Sequence, residues 1–449
     1  MQKVSRFNHF RQWQDGYRIA FNARTGAVAL MTDENYQSYC RLADKLSLSN
    51  GSPTLDDAER ELLKQLEYGR FVYSDVNDEL QAVKFQHYLD RYDQTTLGLV
   101  IAPTMACNMA CKYCFEENKK GKMTSETVEA IIDFVDKRAN NLKHVDINWY
   151  GGEPLLAVDV IEDLTLTLLD LGKEKHFQFT ASMISNGYLL DRKTVDKLVE
   201  LKVSMVQVTL DGPARIHNVR RPLKNGKESF QTIIENISYA CTRMMVSVRI
   251  NIDKDFAKDD IAELLDELAH AGLQQKVSVY FGQLEPASTV CSNIADSCYD
   301  TMDFSQIEIG YYQLLLDKGF RIEKLPSPTS AFCLAQRFNS FLIDPTGNLY
   351  RCFNYAGNPE QAMGNIRNPI DIHHPNCAKL FDFDPFDDPR CKACEILPVC
   401  MGGCPAQRAD RGLTDEAICQ SWKHNLMPML EIIARSRQQR SQPAVKEQP

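Results

Sequence analysis

No stretch of this 449-residue chain approaches the ~20 consecutive apolar residues that a membrane-spanning helix needs, so it is not expected to cross a membrane. The opening segment, MQKVSRFNHFRQWQDG, lacks the apolar run of a secretory signal. A basic surplus is missing too: 51 Lys plus Arg stand against 60 Asp plus Glu, a formal net charge of −9. That balance argues against nucleic acid held through counterion release. With 44% hydrophobic and 25% charged residues, a mostly disordered chain is excluded. Cysteine, by contrast, is abundant, at 15 residues. In a large chain with no export signal the thiols stay reduced, so the expectation is a cytoplasmic protein that uses cysteine for metal rather than for disulfides.

The length allows two to four domains of about 100–200 residues each. Residues 1–95 read as a small α+β unit. GYRIAFN and AVALM flank the turn ARTG as a hairpin, followed by helices around ENYQSYCRLADKL and LDDAERELLKQLEYG, a short strand RFVYSD and a helix DELQAVKFQHYLDRY. Thr54 with Asp57 three residues on reads as the N-cap of the second helix. Over 96–325, six strands alternate with helices: LGLVIAP, VDINWYGG, FQFTASMISNG, MVQVTLDG, VSVRINI and KVSVYFGQL. The helix SETVEAIIDFVDKRANN sets Val128, Ile131, Ile132 and Val135 on one face. Such repeats build a parallel sheet with right-handed crossovers, and six units predict a partial (β/α)6 barrel, an α/β fold. Residues 326–425 turn loop-rich and cysteine-rich around one clear hairpin, FLIDPTGNLYRC, and residues 426–449 read as a disordered polar tail.

Directly after the first barrel strand comes ACNMACKYCFE, with Cys107, Cys111 and Cys114 spaced C-x3-C-x2-C. Three thiolates in one loop can hold an iron–sulfur cube and leave its fourth iron open, whereas a structural zinc site wants four protein ligands. YGGEPLL ends the second strand with Gly151, Gly152 and Glu153; Ser185, Asn186 and Gly187 close the third; Thr209 to Pro213 close the fourth; Asn251 ends the fifth. Each group falls at the carboxyl end of a parallel strand, where sites in such barrels are built.

In these motifs the chain resembles the radical S-adenosylmethionine enzymes. The resemblance implies that the open iron chelates S-adenosylmethionine, and that one electron cleaves its sulfonium to give a 5′-deoxyadenosyl radical that takes hydrogen from a substrate. It implies cofactor contacts from Tyr113, Gly151, Gly152, Glu153, Ser185, Asn186, Thr209, Arg220 (or its neighbour Arg221, in IHNVRRP) and Asn251, with Glu153 receiving the methionine ammonium. Ser185 stands where the family has Thr, and Asn218 where Asp is usual. An electron donor such as flavodoxin or ferredoxin is implied as well.

Further along, Cys333, Cys352, Cys391, Cys394, Cys400, Cys404 and Cys419 follow the order of the SPASM extension of radical enzymes, which houses two auxiliary 4Fe–4S clusters. By that resemblance Cys333, Cys352 and Cys404 take one cluster, and Cys391, Cys394, Cys400 and Cys419 the other, making three 4Fe–4S clusters in all. The first auxiliary cluster lacks a fourth ligand: Cys291, Cys298 or Cys377 could supply it, or its iron could stay open to a substrate thiolate. Cys40 and Cys241 read as buried small apolar residues, and His373 and His374 as solvated.

SPASM enzymes typically act on ribosomally made peptides or protein side chains, and the first ninety residues resemble the winged-helix element that captures leader peptides along a strand edge. A precursor peptide is therefore the expected substrate. The sulfatase-maturing branch, which makes formylglycine from Cys or Ser, is the alternative. It carries a cysteine where this chain has Ser327, and a catalytic Asp where it has Phe353. That leaves Asp211 and Asp344 as candidate acids and side-chain crosslinking, such as a Cys thioether, as the favoured reaction. The non-enzyme alternative is an iron–sulfur electron carrier or zinc-binding scaffold.

Overall fold

The computed structural model describes residues 2–48, 54–74, 78–116, 121–286, 289–331, 333–411 and 418–441. The chain forms two compact units, one of residues 1–91, 324–332 and 384–449, the other of residues 92–323 and 333–383.

The first unit begins with β1 (Gln2–Val4) and the antiparallel sheet of β2 (Asn8–Gln14), β3 (Tyr17–Asn22) and β4 (Ala27–Thr32), in the order β2-β3-β4. The β3–β4 hairpin is the expected one, with Tyr17 opposite Thr32 and Asn22 opposite Ala27. Next come α1 (Asp33–Leu48), α2 (Asp57–Tyr68), β5 (Val72–Ser74) and α3 (Glu79–Arg91). Leu42, Leu46, Leu63, Leu66 and Phe71 close one core, and Cys40 packs against it. The cap of α2 is Asp56, not Thr54: Asp56 accepts the Glu59 N–H at 2.8 Å, and the Glu59 carboxylate accepts the Asp56 N–H at 3.1 Å. The helix begins at Asp57, so Thr54 lies two residues before the cap, and the third helical position that closes the reciprocal box is Glu59.

All six barrel strands form as expected, parallel and in chain order: β6 (Thr96–Ile101), β7 (His144–Trp149), β8 (Gln178–Ser185), β9 (Val203–Thr209), β10 (Met245–Ile252) and β11 (Val277–Gln283). Between and after them run α4 (Ser125–Ala139), α5 (Val158–Lys175), α6 (Arg192–Glu200), α7 (Ala214–Arg220), α8 (Phe230–Ala240), α9 (Lys258–His270) and α10 (Thr301–Asp317). In α4, Val128, Ile131 and Val135 are buried as expected, but Phe134 joins them and Ile132 is only half-buried. The FLIDPTGNLYRC hairpin extends the barrel sheet: β12 (Ser340–Ile343) pairs parallel with β6, and β13 (Leu349–Tyr350) antiparallel with β12. Along β9 and β10, Val206, Val208, Val246, Val248 and Ile250 are buried in the core, while the alternate residues Gln207, Thr209, Arg249 and Asn251 line a cavity at the carboxyl end.

α11 (Pro375–Phe381) belongs to the same unit as the barrel. The first unit resumes at Asp384 with α12 (Pro389–Ala393), α13 (Leu397–Cys400), α14 (Pro405–Arg411) and α15 (Trp422–Ser441). Two expectations are corrected here. Residues 1–91 share a unit with the region from 384 onward, joined by Arg6 Nη2 donating to the Lys392 carbonyl at 2.6 Å and by the Arg11–Glu431 ion pair at 2.5 Å. The tail expected to be disordered from residue 426 is helical to Ser441, with Leu426, Met429, Leu430 and Ile433 buried. Their i, i+3, i+4, i+7 spacing forms the apolar stripe that docks the helix. Residues 442–449 lie outside the described residues. Among the described residues, no helix is long and apolar enough to cross a membrane.

Candidate active site

The loop after β6 is laid down by backbone pairing on two neighbours. Gly152 N–H donates to the Thr104 carbonyl at 3.2 Å and Glu153 N–H to the Ala106 carbonyl at 2.9 Å, fixing the loop against the end of β7. Ala110 N–H donates to the Pro222 carbonyl and Lys224 N–H to the Asn108 carbonyl, both at 2.9 Å, fixing its far side. The approach is so close that a Cβ on Gly152 would sit 2.4 Å from the Met105 carbonyl oxygen and 2.5 Å from that of Ala106. Only glycine fits there.

Cys107, Cys111 and Cys114 line a cavity of about 490 Å³ at the carboxyl ends of the strands, in the range of a small-molecule site. Tyr113, Gly151, Gly152, Ser185, Asn186, Thr209 and Asn251 line it with them. Cys107 Sγ accepts the Met109 N–H at 3.4 Å and faces Asn186 Nδ2 at 3.9 Å. Burial raises the Cys107 thiol to about 11, against the lowering effect of the Met109 N–H.

Two of the expected contacts are placed elsewhere. Glu153 is fully buried behind the wall, where its carboxylate accepts the Asn186 N–H at 2.8 Å, the Ser185 hydroxyl at 2.9 Å and the Leu155 N–H at 3.1 Å. Burial raises its pKa and these bonds oppose the rise. It ties the end of β7 to the end of β8. Of the adjacent arginines, Arg221 lines the cavity, whereas Arg220 pairs with Asp253 at 2.7 Å. Arg221 contacts the Tyr113 hydroxyl and lies 3.5 Å from Asp211, and Tyr113 in turn donates to Asp211. Asp211 also accepts the Asn251 N–H at 3.1 Å.

Neither candidate acid lines the cavity: Asp211 is committed to this network, and Asp344 holds its own turn through Thr346, Asn348 and Tyr350. The wall has further members that the motifs did not reveal: Glu116, Tyr150, Gln207, Arg249, Gln283, Glu285 and Phe353. Gln207 and Arg249 each lie two residues before an assigned position, Thr209 and Asn251. The period of two along a strand was the available signal. Phe353 packs edge-on against Tyr150 with ring centroids 5.1 Å apart.

The second set of cysteines lies in the first unit. Cys400 ends α13, and its thiol is pushed down to about 6, first by a hydrogen bond with Cys419, whose own pKa is raised, and then by the N–H groups of Gln420, Gly402 and Gly403, against the opposing effect of burial. Met401, Gly402 and Gly403 all have positive φ, which turns those donors toward the sulfur. Lys423 Nζ reaches Cys394 Sγ at 3.6 Å, and Arg408 Nη2 reaches Cys391 Sγ at 4.0 Å. Cationic and N–H donors around sulfur suit thiolates bound to metal. The first auxiliary set is divided between the units, Cys333 and Cys352 with the barrel and Cys404 with the other. Of the three spare thiols, Cys298 donates to the Ile294 carbonyl, Cys377 is bonded to the Arg351 guanidinium, and Cys291 is fully buried. His373 is exposed, but His374 accepts the Asn376 N–H as the cap of α11. Among the described residues, no group of three or more Cys, His, Asp or Glu closes to the spacing of a single metal ion; a four-iron cube binds each thiolate through a different iron and wants them farther apart.

Residues 101–283 match the Radical SAM superfamily. A cysteine-type anaerobic sulfatase-maturating enzyme of Clostridium perfringens is 25% identical over 362 residues, covering 73% of this chain and 94% of that protein. Mycofactocin maturase MftC of Mycolicibacterium smegmatis is 26% identical over 334 residues, covering 69% and 78%. Among solved structures, native anSMEcpe with bound AdoMet and a peptide aligns with a TM-score of 0.59 at 21% identity, over 76% of this chain and 99% of that one. SuiB of Streptococcus suis bound to its precursor peptide SuiA aligns at 0.51 and 16%, over 90% and 95%. At these identities the structural likeness is one of fold. The superfamily implies S-adenosylmethionine and a 4Fe–4S cluster, which the three thiols and the glycine-walled cavity beside them fit. The match runs from the last residue of β6 to the last of β11, over the strands whose ends build the cavity, so residues 101–283 form a Radical SAM superfamily domain.

Proposed function

We propose that the enzyme matures a ribosomally synthesised precursor peptide in the cytoplasm, joining two of its side chains, with a Cys thioether as the favoured bond. The observation that carries this reading is the cavity wall next to Cys352. Phe353 stands there with its ring against Tyr150, so the position supplies no carboxylate for taking a proton from an oxidised Cys or Ser. That weighs against formylglycine formation, the reaction suggested by the sulfatase-maturating relatives. In the first unit, β4 is an edge strand with Ala29 and Leu30 exposed, an arrangement suited to leader capture by strand addition.

When bound, the cluster and S-adenosylmethionine supply a radical able to take hydrogen from an unactivated C–H bond. Cys107, Cys111 and Cys114 would hold the cluster, Gly151 and Gly152 would admit the cofactor backbone-close, and Arg221 after α7 and Asn251 on β10 would orient it from the opposite side. Phe115, Tyr150 and Phe353 keep water from the reacting carbon. Two auxiliary clusters, on Cys333, Cys352 and Cys404 and on Cys391, Cys394, Cys400 and Cys419, would receive the electron released as the new bond forms. Flavodoxin or ferredoxin would reduce the first cluster.

The test is anaerobic turnover of a short cysteine-bearing peptide encoded beside the gene. The expected product has lost two hydrogens, one to 5′-deoxyadenosine and one as a proton with its electron, at one 5′-deoxyadenosine per crosslink. Alkylating the peptide cysteines should stop the reaction. A product unchanged in mass but inverted at a stereocentre, or a Cys converted to formylglycine, would overturn the crosslinking reading.

A further inference from the structure

The arginines around the cavity are not equally neutralised. Arg220 pairs with Asp253, and Arg221 lies against Asp211 and Tyr113. Arg249, half-buried on β10 and lining the same cavity, forms no ion pair among the described residues. Its Nε donates to Asn251 Oδ1 at 2.7 Å, and among the described residues neither terminal nitrogen has a protein acceptor. The guanidinium lies flat on the neighbouring strand: a Cβ on Gly282 would be 2.6–2.7 Å from Nη2, Cζ and Nε. The Tyr280 ring lies 5.8 Å below it. Tyr280 also donates its hydroxyl to Gln207 Oε1, which holds Gln207 in place, and among the described residues its Nε2 amide hydrogens have no protein acceptor.

An unneutralised guanidinium, gripped through Nε so that its outer edge is free, and a fixed amide donor therefore face one cavity. Holding a cation in such a place is costly unless an anion joins it. A planar edge of paired N–H donors matches a carboxylate. Both residues lie two positions, about 7 Å of strand, deeper than Thr209 and Asn251.

We propose that Arg249 and Gln207 form a carboxylate subsite that binds an acidic side chain or the C-terminal carboxylate of the peptide substrate. The proposal rests on the peptide-maturase reading and names what that substrate must carry. Tyr280 and Asn251 act as positioning residues for the pair.

The experiment titrates the reconstituted enzyme, with S-adenosylmethionine present and no reductant, against three probes followed by saturation-transfer NMR: N-acetyl-glutamate amide, N-acetyl-glutamine amide and N-acetyl-alanine with a free carboxylate. At least one carboxylate probe should bind about tenfold more tightly than the glutamine amide, and which one does so identifies the source of the carboxylate. Arg249→Met should abolish the preference, Gln207→Leu should reduce it, and Arg249→Lys should restore part of it. Equal binding of all three probes to the wild type would overturn the proposal, and needs no variant to fold. So would a preference that survives Arg249→Met, or a loss of S-adenosylmethionine affinity in that variant with probe binding unchanged, since the carboxylate would then be the cofactor's. Because no turnover is needed, a failure of the crosslinking assay leaves this result intact, and the reverse also holds.

Discussion

Tyr113, one position before Cys114, donates its hydroxyl to the Asp211 carboxylate at the end of β9, and so ties the cluster loop to the opposite side of the barrel. The same oxygen contacts Arg221 and accepts from Asn251 Nδ2 at 3.3 Å. Burial, joined by the charge of Asp211, raises the phenol well above its ordinary pKa against the pull of Arg221, so it stays a donor. Replacing Tyr113 with Phe leaves the fully buried Asp211 short of a partner. The expected cost is about 1–3 kcal/mol of stability in denaturant titration, with weaker S-adenosylmethionine binding in equilibrium dialysis. Unchanged values for both would show that the network is ornamental.

Gly152→Ala pushes a methyl group into two carbonyl oxygens of the cluster loop. We expect it to destabilise the protein by about 1–3 kcal/mol and to lower cofactor affinity, because the backbone beside Cys107 must shift. Gly310→Ala is the control: nothing lies within 4 Å of its added Cβ. In the interior of α10 it should be neutral or stabilise by up to about 1 kcal/mol.

Changing Cys107, Cys111 and Cys114 together to Ser should remove about four irons and stop 5′-deoxyadenosine formation. Changing Cys391, Cys394 and Cys400 should remove about four others. Iron and sulfide assays decide this. Stoichiometric zinc without sulfide would contradict both cluster assignments.

His217 is fully buried, and its Nδ1 accepts the Asp211 N–H at 3.3 Å. Burial, with the Arg221 charge adding to it, lowers its pKa from 6.5 to about 3. Above pH 6.5 the ring is neutral in both native and unfolded chains. As pH falls from about 6.5 to about 3, only the unfolded chain gains the proton, so stability is lost with falling pH by up to about 1.4 kcal/mol per unit. His217→Gln, which cannot be protonated, should show a shallower loss across that window. Parallel stability profiles for the two proteins would refute the assignment.

Strand and helix order and the six-strand parallel sheet were legible in the sequence, because β-branched runs and helical periodicity are local patterns. The same locality put Cys107, Gly152, Ser185, Thr209 and Asn251 at carboxyl ends of strands, and the fold brings all five to one cavity. Tertiary structure decided what depends on facing partners. It chose Arg221 over Arg220 for the cavity, because the chain leaves the helix between them and the last helical residue, Arg220, turns to Asp253. It withdrew Glu153 behind the wall, because Asn186 and Ser185 offer its carboxylate donors there. It turned residues 426–441 from an expected tail into a docked helix, since an apolar stripe orders only against a surface. Arg249 could be named from the sequence, but not its lack of a counterion among the described residues, because charge neutralisation is set by distances across strands that no linear spacing contains.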